Sequence, residues 1–81
     1  MHQQIIFERV KPIFSRIISN KVEMVPETAS RDIRAWDSLN HVMFISEIEK
    51  EFGIRFDLMD MLEMRTIAEI CKGIEKQLRE K

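Results

Sequence analysis

The sequence predicts an all-α protein, with three main helices, one short helix between the second and the last, and a long loop between the first two. Apolar residues recur at intervals of three and four over three stretches of the chain, which is the pattern of helices with one buried face. Residues that typically begin or end helices stand at the borders of these stretches. Ile54 and Phe56 alternate with Arg55, but we expect this pair to hold the loop after the second helix against the core, and no strand is predicted.

The length and composition are those of one small globular domain, which we expect to span residues 1–81. Hydrophobic residues make up 44% of the chain and charged residues 33%, a balance typical of folded rather than disordered proteins. The formal net charge is -1. Because nucleic-acid-binding proteins normally carry a surplus of lysine and arginine, we expect no nucleic-acid partner.

Cysteine and histidine, the most common metal ligands, are scarce in this chain. Cys71 is the only cysteine, and His2 and His41 are the only histidines, so no internal disulfide and no metal site is expected. The first residues do not resemble a signal peptide, and no apolar run has the length of a membrane span. We therefore expect a monomeric, cytoplasmic protein without a membrane segment.

The first part of the chain is predicted to form a helix over residues 3–19 and a loop over residues 20–36. Pro12 removes one backbone hydrogen bond, so we expect the helix to bend there while its apolar stripe continues. Loops this long are usually functional or packed by their own side chains, so we expect apolar residues to hold the loop against the helices, with Trp36 as an anchor. The helix stripe consists of Ile6, Val10, Ile13 and Ile17, widened by Phe7, Phe14 and Ile18.

The second helix is predicted over residues 38–52, between Asp37 as its N-cap and Gly53 as its C-terminal stop. Leu39 and Met43 lie one turn apart and closer to the polar face than to the apolar stripe. The stripe is formed by Phe44, Ile45, Ile48 and Phe52, with Val42 at its edge.

Two further helices complete the predicted fold. Asp57 can cap a short helix over residues 58–63, and Thr66 with Glu69 forms a capping box for the last helix. Residues 79–81 are expected to fray. The apolar stripe of the last helix is Ile67, Ile70, Cys71, Ile74 and Leu78.

Asp37 and Ser38 have the most evident potential for chemistry. The carboxylate of Asp37 can accept amide hydrogens of the first turn, and the Ser38 hydroxyl then lies near the positive end of the helix dipole, where a phosphate would be stabilised. His41 follows one turn later, but no carboxylate is placed to orient it and a small helical domain offers no oxyanion hole. We therefore expect no catalytic residue, and we expect His41 on the surface, facing a partner or solvent.

The sequence around Ser38 resembles that of acyl carrier proteins. The resemblance rests on the order of its motifs and extends from the first helix to the last. The matching residues are the triplet Asp37-Ser38-Leu39, the apolar positions Val42, Ile45 and Ile48, the segment Glu49-x-x-Phe52-Gly53-Ile54, and the pair Thr66-Ile67 at the start of the last helix.

This resemblance implies a carrier rather than an enzyme. Ser38 would bear 4'-phosphopantetheine, transferred from coenzyme A by a separate magnesium-dependent phosphopantetheinyl transferase, and Asp37 would help that enzyme and its metal engage the site. The thiol of the arm would hold an acyl group as a thioester for enzymes of fatty-acid, polyketide or other specialised biosynthesis. Acyl-activating or acyl-transferring partners would read the second helix.

Several positions depart from the strongly acidic carriers of fatty-acid synthesis. Asn40 replaces a residue that is often acidic there, Met43 replaces a common partner-facing glutamate, and Trp36 directly precedes the motif, as in stand-alone carriers of specialised pathways. We expect partners to contact Leu39, Asn40, Met43 and Glu47.

Two alternatives stay open at this point. An aminoacyl or peptidyl carrier protein would use Ser38 in the same way, with an amino-acid-activating enzyme as its partner. An unmodified helical interaction module, which is a different class of protein, would use Asp37 and Ser38 only as a helix cap. It would bind its partner through Leu39 and Met43, and Ser38→Ala would not affect that binding.

Overall fold

The computed structural model describes residues 2–80 and shows an all-helical fold in that range, as predicted. The described residues contain no strand beyond a single antiparallel bridge between Ala29 and Thr66. The elements in chain order are α1 (Gln3–Ile17), a 3-10 turn (Ser30–Asp32), α2 (Ser38–Phe52), α3 (Leu58–Glu63) and α4 (Ile67–Glu80).

The core lies between α1, α2 and α4, and aromatic side chains close its end at the α1–α2 loop. Phe14 and Phe44 meet edge to face, with ring centroids 5.9 Å apart. Trp36 packs edge-on against both, at 5.9 Å from Phe14 and 5.6 Å from Phe44. Such pairs add to the free energy of area burial. Trp36 is therefore a packing anchor, as the sequence predicted.

Helix α1 runs through the exposed Pro12 without a break and ends at Ile17, two residues before the predicted end. The amides of Ile18 and Ser19 both donate to the carbonyl of Phe14, at 2.8 and 3.1 Å, and the chain then leaves the helix axis. The bend at Pro12 stays a prediction.

The long loop is held by side chains and also by backbone hydrogen bonds to the start of α4. Met24 and Trp36 are buried, which confirms that apolar residues hold the loop, although Val22 and Val25 are more than a third exposed. The backbone bonds, at 2.9–3.0 Å, were not predicted; they are Ser30 N–H to Arg65 O, Ile67 N–H to Thr28 O and Ala68 N–H to Pro26 O.

Helix α2 has the predicted limits. Gly53 ends it in the left-handed conformation, φ 65°, which glycine adopts without a steric penalty. Val42 was expected at the edge of the core stripe, and this is wrong, because its side chain is 48% exposed. Position 42 is one residue beyond His41, and one residue turns an α-helix by about 100°, which moves the side chain off the buried face.

The caps of α3 and α4 are those predicted from the sequence. Asp57 Oδ1 accepts a hydrogen bond from the amide of Asp60 at 2.8 Å. Thr66 Oγ1 accepts from the amide of Glu69, whose carboxylate accepts in return from the amide of Thr66, both at 3.1 Å. Helix α4 continues to Glu80; the expected fraying of residues 79–81 stays a prediction, and Lys81 lies outside the described residues.

Candidate functional site

The start of α2 carries a complete side-chain cap. Asp37 is extended, and its Oδ1 accepts a hydrogen bond from the amide of Asn40 at 2.8 Å. The carbonyl of Asp37 accepts from the amide of His41, also at 2.8 Å. A carboxylate has two acceptor oxygens and the cap uses one of them, so Asp37 keeps acceptor capacity at the surface.

Ser38 is the first residue of α2 and is exposed. The first amides of an α-helix have no acceptor within the helix. Asp37 satisfies the amide of Asn40, which leaves those of Ser38 and Leu39 to be satisfied from outside the helix. Together with the dipole of a 15-residue helix, these amides would stabilise an anionic group attached to Ser38 Oγ.

A buried polar chain lies directly behind this surface. Trp36 Nε1 donates a hydrogen bond to His41 Nδ1 at 2.9 Å. His41 Nε2 lies 2.8 Å from the carbonyl oxygen of Met61 in α3. Both ring nitrogens of His41 therefore have partners, although only 3% of the residue is exposed.

The surface position expected for His41 is wrong. His41 precedes Phe44 by three residues and Ile45 by four, and this spacing places it on the buried face of α2. That spacing was visible in the sequence. The contact with Met61, one of the two partners that make burial of the imidazole favourable, was not visible, because Met61 is 20 residues away along the chain.

Leu39 and Met43 present apolar surface beside Ser38. Leu39 is 69% exposed and Met43 is 45% exposed. Val42 on α2 is exposed as well, and so are three apolar side chains of α3, the helix whose Met61 carbonyl meets His41. These are Leu58, Met59 and Leu62, which are 65%, 62% and 43% exposed. The available signal was an apolar short helix that none of the predicted core stripes included.

The polar members of the predicted partner surface are engaged within the chain. Asn40 is half-buried, and its Nδ2 donates to the carbonyl of Ala35 at 2.7 Å. Glu47 accepts from Arg16 on α1 at 3.0 Å and from Lys50 at 3.3 Å. Both side chains therefore already have partners within the chain.

The other two glutamates of α2 also have partners. Glu51 pairs with Arg9 at 2.7 Å, and Glu49 Oε2 accepts from the amide of Phe56 at 2.8 Å. All three glutamates of α2 are thus occupied by contacts with α1, with Lys50 or with the loop after α2. The exposed side of α2 next to Ser38 is apolar rather than acidic.

Residues 2–80 hold no group of three or more histidine, cysteine, aspartate or glutamate side chains arranged to bind a metal ion. Over the same range, none of the helices combines the length and the apolar character that crossing a membrane requires.

Cys71 is the only thiol of the chain and is buried in α4, as predicted. Burial raises its pKa from the ordinary value of 9.0 to about 11, because a thiolate loses hydration in the core. The thiolate is the reactive form of cysteine. Cys71 should therefore react slowly with electrophiles.

We expect Cys71 to react with iodoacetamide at pH 8 about a hundredfold more slowly in the folded protein than in urea, since two pKa units reduce the thiolate fraction by that factor. Because the folded pKa lies above the unfolded one, its contribution to stability is complete below pH 9 and is lost as pH rises toward 11. The free energy of unfolding should fall by up to about 3 kcal/mol across that window. Cys71→Val, which has no ionisable group, should lack this part of the decline; equal pH profiles for the two proteins would contradict the assignment.

Comparison with known proteins identifies relatives of this chain by sequence and by fold. The family model described as "Phosphopantetheine attachment site" matches residues 8–74. The acyl carrier protein of Thermotoga maritima is 35% identical over 74 residues, which cover 90% of this chain and 91% of that protein. The solution structure of the holo acyl carrier protein from Geobacter metallireducens superposes with a TM-score of 0.81 at 27% identity, covering 91% of this chain and 86% of that one.

The fold and the matched segment define a phosphopantetheine-dependent carrier, a class of proteins that present a group to enzymes and are not enzymes themselves. The chain belongs to the acyl carrier protein family. The start of α2 fits the prosthetic group of that class, because it combines an exposed hydroxyl, unsatisfied amides and a favourable dipole.

Proposed function

We propose that this protein carries acyl groups as thioesters on a 4'-phosphopantetheine arm attached to Ser38. The observation that supports this most directly is the exposed Ser38 as first residue of a capped 15-residue helix, inside the segment that the family model matches. When bound, the arm supplies a flexible thiol that holds the acyl group. The chain supplies the attachment oxygen, the amides around it and the surface that partners contact.

Attachment requires only a hydroxyl from this chain. Ser38 Oγ forms a phosphodiester bond, the pyrophosphate P–O bond of coenzyme A breaks, and adenosine 3',5'-bisphosphate leaves. The hydroxyl proton passes to a base of the phosphopantetheinyl transferase. Asp37, with one oxygen outside its cap, is the residue of this chain that engages the transferase and its magnesium ion.

Partner enzymes are proposed to dock on the apolar surface beside Ser38. Leu39 and Met43 carry this contact, because they are exposed and lie within two turns of the attachment site. Asn40 and Glu47 contribute at its edge through the parts of their side chains that remain accessible. The partners are the transferase and acyl-activating or acyl-transferring enzymes of fatty-acid, polyketide or other specialised biosynthesis, in the cytoplasm.

The first test is modification of the purified protein. Incubation with coenzyme A, magnesium and a broad-specificity transferase should raise the intact mass by one phosphopantetheine. Peptide mapping should place the added mass on the peptide that contains Ser38. An unchanged mass with several transferases, or added mass on a peptide without Ser38, would refute the attachment site.

The cargo is tested on the modified protein. Acyl-activating enzymes should load it and amino-acid-activating enzymes should not, with the thioester detected by mass and by its loss in hydroxylamine. Loading by amino-acid-activating enzymes alone would instead assign an aminoacyl or peptidyl carrier.

The docking surface makes a separate prediction. Leu39→Ser or Met43→Ser should raise the KM of the transferase reaction about tenfold, because either change removes apolar area that partners bury, with little effect on stability. Ile5→Ser is the matched control: Ile5 is 54% exposed, and the pairs Arg9–Glu51 and Arg16–Glu47 set α1 antiparallel to α2. Ile5 therefore lies at the opposite end from Ser38. A KM that rises equally in all three variants would contradict this surface.

A further inference from the structure

Helix α3 is attached to the protein through few of its own side chains. None of its six residues is buried, and only Met61 packs in part against the core. Leu58 and Met59 point outward. Its position must therefore be fixed largely by its two ends.

The hydrogen bonds accepted by the carbonyls near the C-terminal end of α3 show how that end is held. The carbonyl of Asp60 accepts from the amide of Met64 at 3.1 Å, and that of Leu62 accepts from Arg65 Nε at 2.9 Å. Each of these donors belongs to the residues that directly follow α3. The carbonyl of Met61 instead meets His41 Nε2 at 2.8 Å, and within residues 2–80 this is the one hydrogen bond between α3 and α2.

The direction of this bond follows from its neighbour. The indole of Trp36 can only donate, so His41 Nδ1, 2.9 Å from Trp36 Nε1, must accept. The proton of the neutral imidazole is then on Nε2, which donates to the carbonyl of Met61. Trp36 thus selects the tautomer that lets His41 hold α3.

We propose that His41 is a positioning residue, which fixes α3 beside the start of α2 and thereby completes the docking surface around Ser38. The inference rests on the proposed function, since it assigns α3 to the surface that partners contact. The apolar residues that α3 contributes are Leu58, Met59 and Leu62. Without His41 the helix would stay attached through residues 57 and 64 and through Met61, but would lose its hydrogen bond to α2.

Amide hydrogen exchange tests the attachment. In His41→Phe, which keeps an aromatic ring but removes the donor, the amides of Met61 and Met64 should exchange about tenfold faster, the effect of one lost hydrogen bond. The amide of Ile70 in α4 reports general destabilisation and should change less. Unchanged exchange in α3, or equal acceleration in α3 and α4, would overturn the proposal.

Two variants serve as controls. His41→Gln keeps an N–H that can reach the carbonyl of Met61 and should restore most of the protection of α3. Trp36→Phe leaves the His41 ring in place and should affect α3 less than His41→Phe does. Failure of the glutamine variant to protect α3 better than phenylalanine would count against a hydrogen-bonding role.

If His41→Phe does not fold, the hydrogen bond between His41 and Met61 can be tested on the unaltered protein. Nitrogen-15 NMR at neutral pH should show the His41 proton on Nε2, with a coupling across the hydrogen bond to the carbonyl of Met61. A proton on Nδ1 would overturn the proposal.

The effect of His41 on docking is tested separately, by the kinetics of phosphopantetheinyl transfer. His41→Phe should raise the KM of phosphopantetheinyl transfer about fivefold and leave kcat nearly unchanged, and His41→Gln should reverse much of the rise. Faster exchange in α3 with an unchanged KM would overturn the role in docking. If no transferase modifies even the unaltered protein, the proposed function fails, whereas the exchange experiment still decides whether His41 holds α3.

Discussion

Ser38→Ala is expected to abolish phosphopantetheine attachment, so that the intact mass stays unchanged after prolonged incubation with coenzyme A and transferase. Alanine removes the hydroxyl, which is the only side-chain oxygen at this position. Position 38 is exposed at the first turn of α2, where alanine fits the helix, so the free energy of unfolding should change by no more than about 0.5 kcal/mol. Loss of modification in a protein of unchanged stability would assign the effect to the missing hydroxyl.

Ser15→Ala is the matched control for this variant. Ser15 is also an exposed helical serine, but it lies in α1 and has no cap and no helix start beside it. Its replacement should leave the rate and extent of modification unchanged. Modification of Ser38→Ala at the rate of the unaltered protein would show that another residue carries the arm and would refute the proposed site.

Trp36→Ala is expected to lower the free energy of unfolding by about 3–5 kcal/mol. The change removes a large buried ring that packs edge-on against Phe14 and Phe44, and it leaves His41 Nδ1 without its donor. For a small domain whose total stability is about 5–15 kcal/mol, this is a large fraction. Urea denaturation should be followed by circular dichroism, because Trp36 is the only tryptophan of the chain and the variant has no indole fluorescence.

Trp36→Phe separates the two contributions of this side chain. Phenylalanine keeps an aromatic ring in the cluster but cannot donate to His41, so the loss should be about 1–2 kcal/mol. Equal losses for the alanine and phenylalanine variants would mean that the hydrogen bond, rather than ring packing, dominates. A loss below about 1 kcal/mol for Trp36→Ala would contradict the role of Trp36 as an anchor.

The sequence predicted the limits of α2 and α3 correctly because their end signals are local. Asp37 and Asp57 each cap an amide three residues ahead, and Gly53 adopts a conformation that other residues avoid. The end of α1 has no such signal, and the prediction placed it two residues too late. The structure ends α1 with two amides that share the carbonyl of Phe14, an arrangement that no residue type in this stretch announces.

The features of the candidate site also fall into those that the sequence could predict and those that it could not. Exposure of Ser38, Leu39 and Met43 could be predicted from their place on α2, since one helix face determines it. The spacing of His41 from Phe44 and Ile45 pointed to the buried face, but its hydrogen bond to Met61 and the exposed apolar side chains of α3 could not be predicted, because they depend on which helix lies beside α2.

By itself, the sequence determined the helices, the cap that presents Ser38 and the likeness to acyl carrier proteins, because each depends on residues within a few turns of one another. Only the tertiary structure decided what surrounds that serine. It engaged the glutamates of α2 in internal contacts and joined α3 to α2 through His41 and Met61. Most of these contacts join residues that are distant in the chain, and such contacts leave no periodic pattern in a single sequence.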